Sequence, residues 1–288
     1  MRPMLGYALA PEDLGKLRYP LLSTPKVDGI RCVVQDDKAY SRSLKLIPNQ
    51  WIQQELRDCS SLDGELIVVD ATFNETSSWV RRRTPAPVKW QYLVFDFQGK
   101  GSYRDRHAIL LEGEAKVSPV SWWVLKATEV NSPEEVEAIF ASSLASGWEG
   151  IVLRDPAGLY KPGRSTLREQ GMLKMKAFTD EEVRVKGFDE LEHNLNPQQI
   201  NELGLNDRSS HQANMIPGGC LGALVVCKQD GTIFRVGTGF TQAERTEIWR
   251  HRDRYMNQLC TIKHMPHGAK DKPRHPVFIR WRPQEVKQ

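Results

Sequence analysis

The chain reads as an α+β protein: a larger first domain dominated by antiparallel sheet, followed by a small β-barrel. Two observations predict this. Short runs rich in β-branched and aromatic residues alternate with turns through residues 1–178, with one strong helix signal among them. After the "MLKMKAF" run (Met172–Phe178) the texture changes, and residues 179–288 offer several short strands and a single amphipathic helix. The length of 288 residues suits two modest domains, here 1–178 and 179–288.

In the first domain "LIVV" (Leu66–Val69), "WQYLVFDF" (Trp90–Phe97) and "GIVLR" (Gly150–Arg154) are the strand signals. In "SPEEVEAIFASSLASG" Ser132 caps a helix, Pro133 occupies its first position and Gly147 ends it. In the second domain "TDEEVRVKGF" starts a strand, and the polar stretch Glu190–Asn214 reads as a long loop. "LGALVVCK", "TIFRVGTGF" and "HPVFIRWR" supply further strands, and "TQAERTEIWRHRDRYM" one helix. That inventory fits a small barrel of the oligonucleotide-binding type, the OB fold.

Composition is ordinary for a globular protein, 40% hydrophobic and 26% charged. A net charge of +4 permits a polyanionic partner without requiring one. No run reaches membrane-spanning length, and "MRPMLGYALAPEDLGKL" lacks a signal-peptide core, so a cytoplasmic protein is expected. Five cysteines without a Cys-x-x-Cys pair point to free thiols in a reducing compartment. Cys260, His264 and His267 are too few and too unfavourably spaced for a structural zinc site.

The stretch Thr24-Pro-Lys-Val-Asp-Gly-Ile-Arg31 carries the sharpest chemical signal. Asp-Gly alone is a common turn, but a lysine on a tight turn beside an arginine is also what an attack on phosphorus needs. The amine attacks only when neutral, so nearby positive charge must lower its pKa. Gly29 would let the backbone turn closely beneath it. Arg42, between Ser41 and Ser43 after a predicted strand, is either a solvated side chain or a fork for phosphate. Asp63 and Glu65 share a strand face, and Glu149 directly precedes another strand. Carboxylates at two strand mouths suit a divalent cation held between phosphates. Glu112 and Glu114 compete for that role, but no strand follows them closely. Lys174 and Lys176 alternate across Met175 and share a face that makes sense against a polyphosphate. Phe97, at a strand end beside Asp96, either stacks on a base or belongs to the core.

In this order the elements resemble the motifs of the covalent nucleotidyltransferase superfamily, which comprises ATP-dependent DNA ligases, RNA ligases and mRNA capping enzymes. They are Lys26-x-Asp28-Gly29-x-Arg31, Ser41-Arg42, Asp63-Gly-Glu65-Leu, the Phe-Asp-Phe strand end, Glu149-Gly-Ile-Val and Lys174-x-Lys176. The resemblance covers nearly the whole chain. "EHNLNPQQINELG…RSSHQANMIPGGCLGALVV" is similar to short bacteriophage DNA ligases, and "RHPVFIRWRP" to the superfamily's carboxy-terminal motif.

The resemblance implies a nucleotidyltransferase (adenylation) domain followed by an OB-fold domain, together forming an ATP-dependent DNA ligase of reduced size. Lys26 would be the adenylated nucleophile. Arg31 would contact ribose or nick, and Arg42 the nick 5′-phosphate. Glu65 would bind ribose or metal, and Glu149 metal. Phe97 would stack on adenine, while Lys174 and Lys176 would hold the ATP phosphates. Arg274, Arg280 and Arg282 are candidates for the pyrophosphate contact, Arg282 foremost. Ligases often end this motif Arg-x-Asp-Lys, whereas Arg282 is followed here by Pro283-Gln284-Glu285. ATP as covalent AMP, Mg2+ or Mn2+, nicked duplex DNA and a monomeric state are implied with it, in a cell or in the cytoplasm of a phage-infected host.

Two basic segments read as DNA contacts: Arg81–Arg83 in an expected loop, and Lys263–Lys287, which includes Arg274 and Arg280 and carries seven Lys/Arg against two acidic residues. A capping enzyme would share Lys-x-Asp-Gly-x-Arg but use GTP. An RNA ligase would less often carry this barrel, and a non-catalytic nucleic-acid-binding barrel protein leaves Lys26 unexplained.

Overall fold

The computed structural model describes residues 1–116, 122–265 and 272–282. The chain forms two compact units, Met1–Lys176 and Ala177–Gln288, divided two residues before the boundary read from the sequence.

The first unit is built on two five-stranded sheets. One runs in the order Tyr7–Ala8, Leu173–Lys176, Gly150–Arg154, Leu21–Lys26, Thr128–Val130. The other runs Lys38–Ser41, Ile30–Gln35, Leu62–Val68, Trp90–Phe97, Trp122–Val124. Pairing is antiparallel except at the edge strands Tyr7–Ala8 and Trp122–Val124. Each sheet buries one face under helices. Ile151, Leu153, Leu173 and Met175 pack with Leu21, Val130 and Val136, the last from the helix Pro133–Ala145. Val34, Leu66, Tyr92 and Val94 pack with Ile52, Trp79, Val80 and Leu110 from three further helices. The other faces carry the charged residues, with a small apolar cluster of Val27, Leu93 and Leu125 between them.

The Pro133–Ala145 helix forms where its signals put it, with Ser132 accepting from the Glu135 N–H and Gly147 at φ +83° just beyond the end. The helix Tyr103–Lys116 was not foreseen. Glu112 and Glu114 belong to it; Glu112 is exposed, and the Glu114 side chain lies outside the described residues. The helix is tied down by a buried pair, Arg106 Nε to Asp96 Oδ1 at 2.7 Å and Nη2 to Oδ2 at 3.1 Å. Both side chains are almost fully buried, and Arg106 also donates to the Gly101 and Gly158 carbonyls.

In the second unit the strands run Ile233–Val236, Met215–Cys227, Thr179–Asn194, Leu259–Met265, Arg274–Trp281, all antiparallel. The two edges meet where Thr238 bridges Val277 and the Phe278 N–H donates to the Thr238 carbonyl at 2.9 Å. Val183, Val185, Leu224, Val226, Ile262 and Phe278 fill the interior. The expected single helix is two pieces, Gln242–Arg250 and Arg252–Tyr255, broken at His251. The expected loop Glu190–Asn214 is also corrected. The long strand continues to Asn194, and a small hairpin of Gln198–Ile200 with Asn206–Arg208 follows. Its residues are polar and exposed, so no alternation marks it, while Asn196 Nδ2 holds its base by donating to the Ser209 and His211 carbonyls. None of the five cysteines forms a disulfide, and burial pushes the Cys260 thiol up to about 12. His264 lies 3.1 Å from Glu181, and His267 lies outside the described residues. Among the described residues no helix is long and apolar enough to cross a membrane.

Replacing Asp96 by alanine leaves the Arg106 guanidinium buried without its counter-ion. The expected cost is about 3–5 kcal/mol, read by urea unfolding. A loss below ~1 kcal/mol would mean that the surroundings already compensate Arg106.

Candidate nucleotide site

The site begins with strand register. Gly150 pairs with Lys26 on one side and Lys176 on the other, and Val152 pairs with Thr24 and Lys174. Antiparallel pairing therefore brings three lysines, distant in sequence, onto one sheet face. Nothing but glycine fits at position 150: φ is +151°, and a Cβ would stand 2.1 Å from the Met175 carbonyl oxygen. Glu149, just before the strand, accepts hydrogen bonds from Lys26 Nζ on one carboxylate oxygen and Lys176 Nζ on the other. Its backbone N–H also donates to the Lys26 carbonyl at 3.0 Å. Burial works to raise the Glu149 carboxyl, but Lys26 and Lys176 outweigh it and hold the group below its ordinary range. Lys174 is pushed down to about 8, first by burial and then by the charges of Lys26 and Lys176, with Arg164 and Arg42 adding to them.

The chain crosses to the facing sheet through Val27-Asp28-Gly29, which puts Arg31 opposite Lys26. Gly29 is required by close approach: a Cβ there would lie 2.4 Å from the Leu66 carbonyl and 2.8 Å from Glu65 Cγ. Arg31 forms a bidentate pair with buried Asp63, at 2.9 and 2.6 Å, and the Tyr160 hydroxyl donates to the same carboxylate at 2.7 Å. Glu65 sits across from Arg31 in register. Burial raises its carboxyl to about 7 against the opposing pull of Lys26 and Arg31. Two carboxylates two residues apart thus differ: one is clamped, the other is poised to titrate.

Phe97 is not in this site. A bulge between Asp63 and Gly64 pairs Asp63 with Asp96 and Gly64 with Val94, leaving Phe95 as the extra residue. The inserted residue shifts the alternation, so Phe97 packs against the core of Tyr92 and Val94 while Phe95 lines the pocket. A solvent-open pocket lies between Lys26, Val152, Arg154 and Lys174 of one sheet and Arg31, Glu65 and Phe95 of the other. Phe95 and Arg154 were not singled out from the sequence. Arg164 was also missed; its charge acts on Lys174, and its Nη1 donates to the Gly6 carbonyl at 3.0 Å.

The remaining candidates lie elsewhere. Arg42 is exposed in the turn after Lys38–Ser41, within electrostatic reach of Lys174. Arg81 closes the helix Phe73–Arg81 rather than lying in a loop, and Arg82 and Arg83 follow it; all three are exposed. In the second unit Arg274 opens the last strand, Arg280 is exposed near its end, and Arg282 pairs with Glu182. Pro283-Gln284-Glu285 and Lys287 lie outside the described residues.

The family model of the ATP dependent DNA ligase domain matches residues 3–176, and that of the DNA ligase OB-like domain matches residues 217–282. The chain belongs to the ATP-dependent DNA ligase family. It is similar to a probable DNA ligase of Streptomyces griseus subsp. griseus, 32% identical over 213 residues, which are 61% of this chain and 40% of that protein. The chain thus matches less than half the length of this curated relative. Among solved structures, Chlorella virus DNA ligase-adenylate is 30% identical over 99% of both chains, with a TM-score of 0.57. A Lig E DNA ligase, 22% identical over 97% of this chain and 98% of its own, shares the fold at a TM-score of 0.76. In this ligase-family chain the matched domain of residues 3–176 holds the whole of the pocket just described.

Gly29→Ala is expected to force the two sheets apart where Leu66 passes. The predicted cost is about 1–3 kcal/mol of overpacking, read as a lower Tm. An unchanged Tm would mean that the turn can move away from Leu66.

Proposed function

We propose that the chain is an ATP-dependent DNA ligase that seals nicks in duplex DNA through a covalent lysyl-AMP intermediate on Lys26. The observation that carries this reading is Lys26 lining a pocket with Lys174, Arg31 and Glu65, and held by Glu149 beside Lys176. In the first step the neutral Lys26 amine forms a P–N bond to the α-phosphorus of ATP, the bond to pyrophosphate breaks, and the amine gives up a proton. Lys26 must first leave Glu149, which holds it in the free protein. The nick 5′-phosphate then takes AMP from Lys26, and the 3′-hydroxyl displaces AMP to join the strand. Each transfer is in line, so positioning and charge neutralisation carry the catalysis.

Lys174 and Lys176 hold phosphates, Arg31 the ribose or nick, and Arg42, with Arg164, the 5′-phosphate. Phe95 takes the stacking role expected of Phe97. Glu65 and Glu149 fit a divalent cation, Mg2+ in this reading. They offer two acidic groups near the lysines, with ATP phosphates and water able to complete the shell, although no cluster of three metal-binding side chains exists among the described residues. When bound, the cation neutralises phosphate charge. Arg81, Arg82, Arg83, Arg274 and Arg280 contact the DNA backbone, Arg282 orients pyrophosphate, and the protein acts as a monomer in the cytoplasm.

Intact mass after stripping with pyrophosphate and magnesium tests the first step. ATP should add one AMP, and Lys26→Ala should abolish the gain. A GMP adduct from GTP would instead favour a capping activity, and no adduct would end the reading.

The pH profile follows from two groups. Glu65 is charged above about 7, so its hold on the cation weakens as pH falls through 7. Lys174 is charged below about 8, so its hold on phosphate weakens as pH rises through 8. Adenylylation at limiting ATP should therefore be bell-shaped, with flanks near these values. Glu65→Gln should remove the acid flank, and Lys174→Arg should move the alkaline one upward; flanks unmoved by both changes would assign the titration to other groups.

Changing Arg81, Arg82 and Arg83 together to alanine should flatten the salt dependence of nicked-duplex binding, by about 0.9 in log–log slope for each DNA phosphate that these arginines neutralise. An unchanged slope would remove this segment from the DNA surface.

A further inference from the structure

A buried hydroxyl behind Arg31 is left unused by the chemistry above. Tyr160 lies between the strand Gly150–Arg154 and a short strand, Gly163–Arg164, that pairs in parallel with Met4–Leu5. Its ring packs with Met4 and Met172, and its hydroxyl donates to Asp63 of the facing sheet at 2.7 Å. The same hydroxyl accepts from the Met4 N–H at 3.2 Å and from Gln98 Nε2 at 3.4 Å. It has a single proton, and with two donors already aimed at the oxygen that proton belongs to Asp63. Burial, and after it the Asp63 carboxylate, push the Tyr160 hydroxyl above its ordinary range, so it stays a donor through neutral pH.

What this bond controls follows from the geometry of Arg31. Nε and Nη2 of Arg31 donate to the two oxygens of Asp63, and the flat face of the guanidinium lies over Phe95, 5.0 Å from the ring centroid. Nη1 has no protein acceptor among the described residues, so it is the nitrogen of the fork left for a ligand of the pocket that Arg31 lines. A bidentate pair sets the guanidinium against the carboxylate, but not the carboxylate against the sheet. The last torsion of an aspartate is broad, so the pair can swivel as one body. Asp63 Oδ2 takes a third hydrogen bond from Tyr160, and that bond opposes the swivel. Tyr160 follows the strand that pairs with Lys26, so it ties the wall carrying the lysine to the wall carrying Arg31.

We propose that Tyr160 is a positioning residue: by bonding Asp63 it fixes the aim of Arg31, and with it the substrate group that Arg31 contacts. This rests on the reading that Lys26 takes up a nucleotide and that Arg31 serves its transfer. Tyr160 acts only through Asp63 and Arg31. A guanidinium that is present but misaimed weakens the contact it makes as the phosphorus bonds change, where geometry is most exacting. Loss of the hydroxyl therefore slows a reaction that depends on Arg31, and changes nothing further once Arg31 itself is replaced.

Two reactions of the full chain test this: AMP uptake by nucleotide-stripped protein at varied ATP, and sealing of nicked duplex by protein already carrying AMP. Rates are taken per active molecule, counted by the adduct that each preparation forms at saturating ATP. Tyr160→Phe keeps the ring and should slow, by about tenfold, whichever reaction Arg31→Lys slows. The loss should divide between KM and kcat as it does for Arg31→Lys, which a merely structural role would not reproduce. The double variant should be no more than about twofold slower than Arg31→Lys alone. Tyr160→Met removes the hydroxyl with a side chain that packs beside Met4 and Met172, and covers the case in which the phenylalanine variant fails to fold. Wild-type rates in a folded Tyr160 variant, or losses that multiply in the double variant, overturn the proposal and leave the ligase reading intact. So does an Arg31→Lys variant that reacts as the wild type does. Wild-type protein that takes up no nucleotide overturns both.

Discussion

The antiparallel pairing of Gly150–Arg154 with both lysine-bearing strands is the constraint on which the site depends. It sets Lys26, Lys176 and Lys174 side by side on one face, where mutual repulsion and desolvation both oppose them. Glu149 makes the arrangement tenable by giving one carboxylate oxygen to each of two ammonium groups. The glycine after it lets the strands close, because no side chain has room against the Met175 carbonyl. Lys174 has no share of that carboxylate, and burial together with the charges of Lys26 and Lys176 weakens its ammonium.

The facing sheet handles its charges differently. Arg31 is paired with Asp63, and Asp63 also accepts from Tyr160, so the charges of this corner are matched. Glu65, one strand alternation further on, shares the field of Lys26 and Arg31 but bears the cost of burial, and its carboxyl rises to about 7. The pocket is thus lined by a titrating carboxylate, Glu65, and a weakened ammonium, Lys174, while Asp63 clamps Arg31 from behind.

Much of this was written locally in the chain. Alternation predicted that Lys174 and Lys176 share a face, and that Asp63 and Glu65 do. The spacing of Lys26, Gly29 and Arg31 marked the turn, and Ser132, Pro133 and Gly147 marked a helix that forms between them. Strand-forming runs and a texture change near residue 178 were enough for an α+β unit followed by a small barrel. These signals survive because period, cap and turn chemistry act over a few residues.

Tertiary structure decided the rest. A single bulged residue turned Phe97 into the core while Phe95 kept the pocket face, because one insertion inverts every later side chain relative to the sheet, and nothing local announces it. Arg154 and Arg164 were not singled out in the sequence; strand order brings one into the pocket and the other within reach of Lys174. Asp96 and Arg106 are ten residues apart, yet their pairing needed a helix the sequence did not signal. The polar hairpin at Gln198–Arg208 escaped for the opposite reason: both its faces are exposed, so burial imposes no pattern on it. The residue types that make the chemistry possible stand in the sequence, but which of them meet depends on register and burial, which only the folded chain sets.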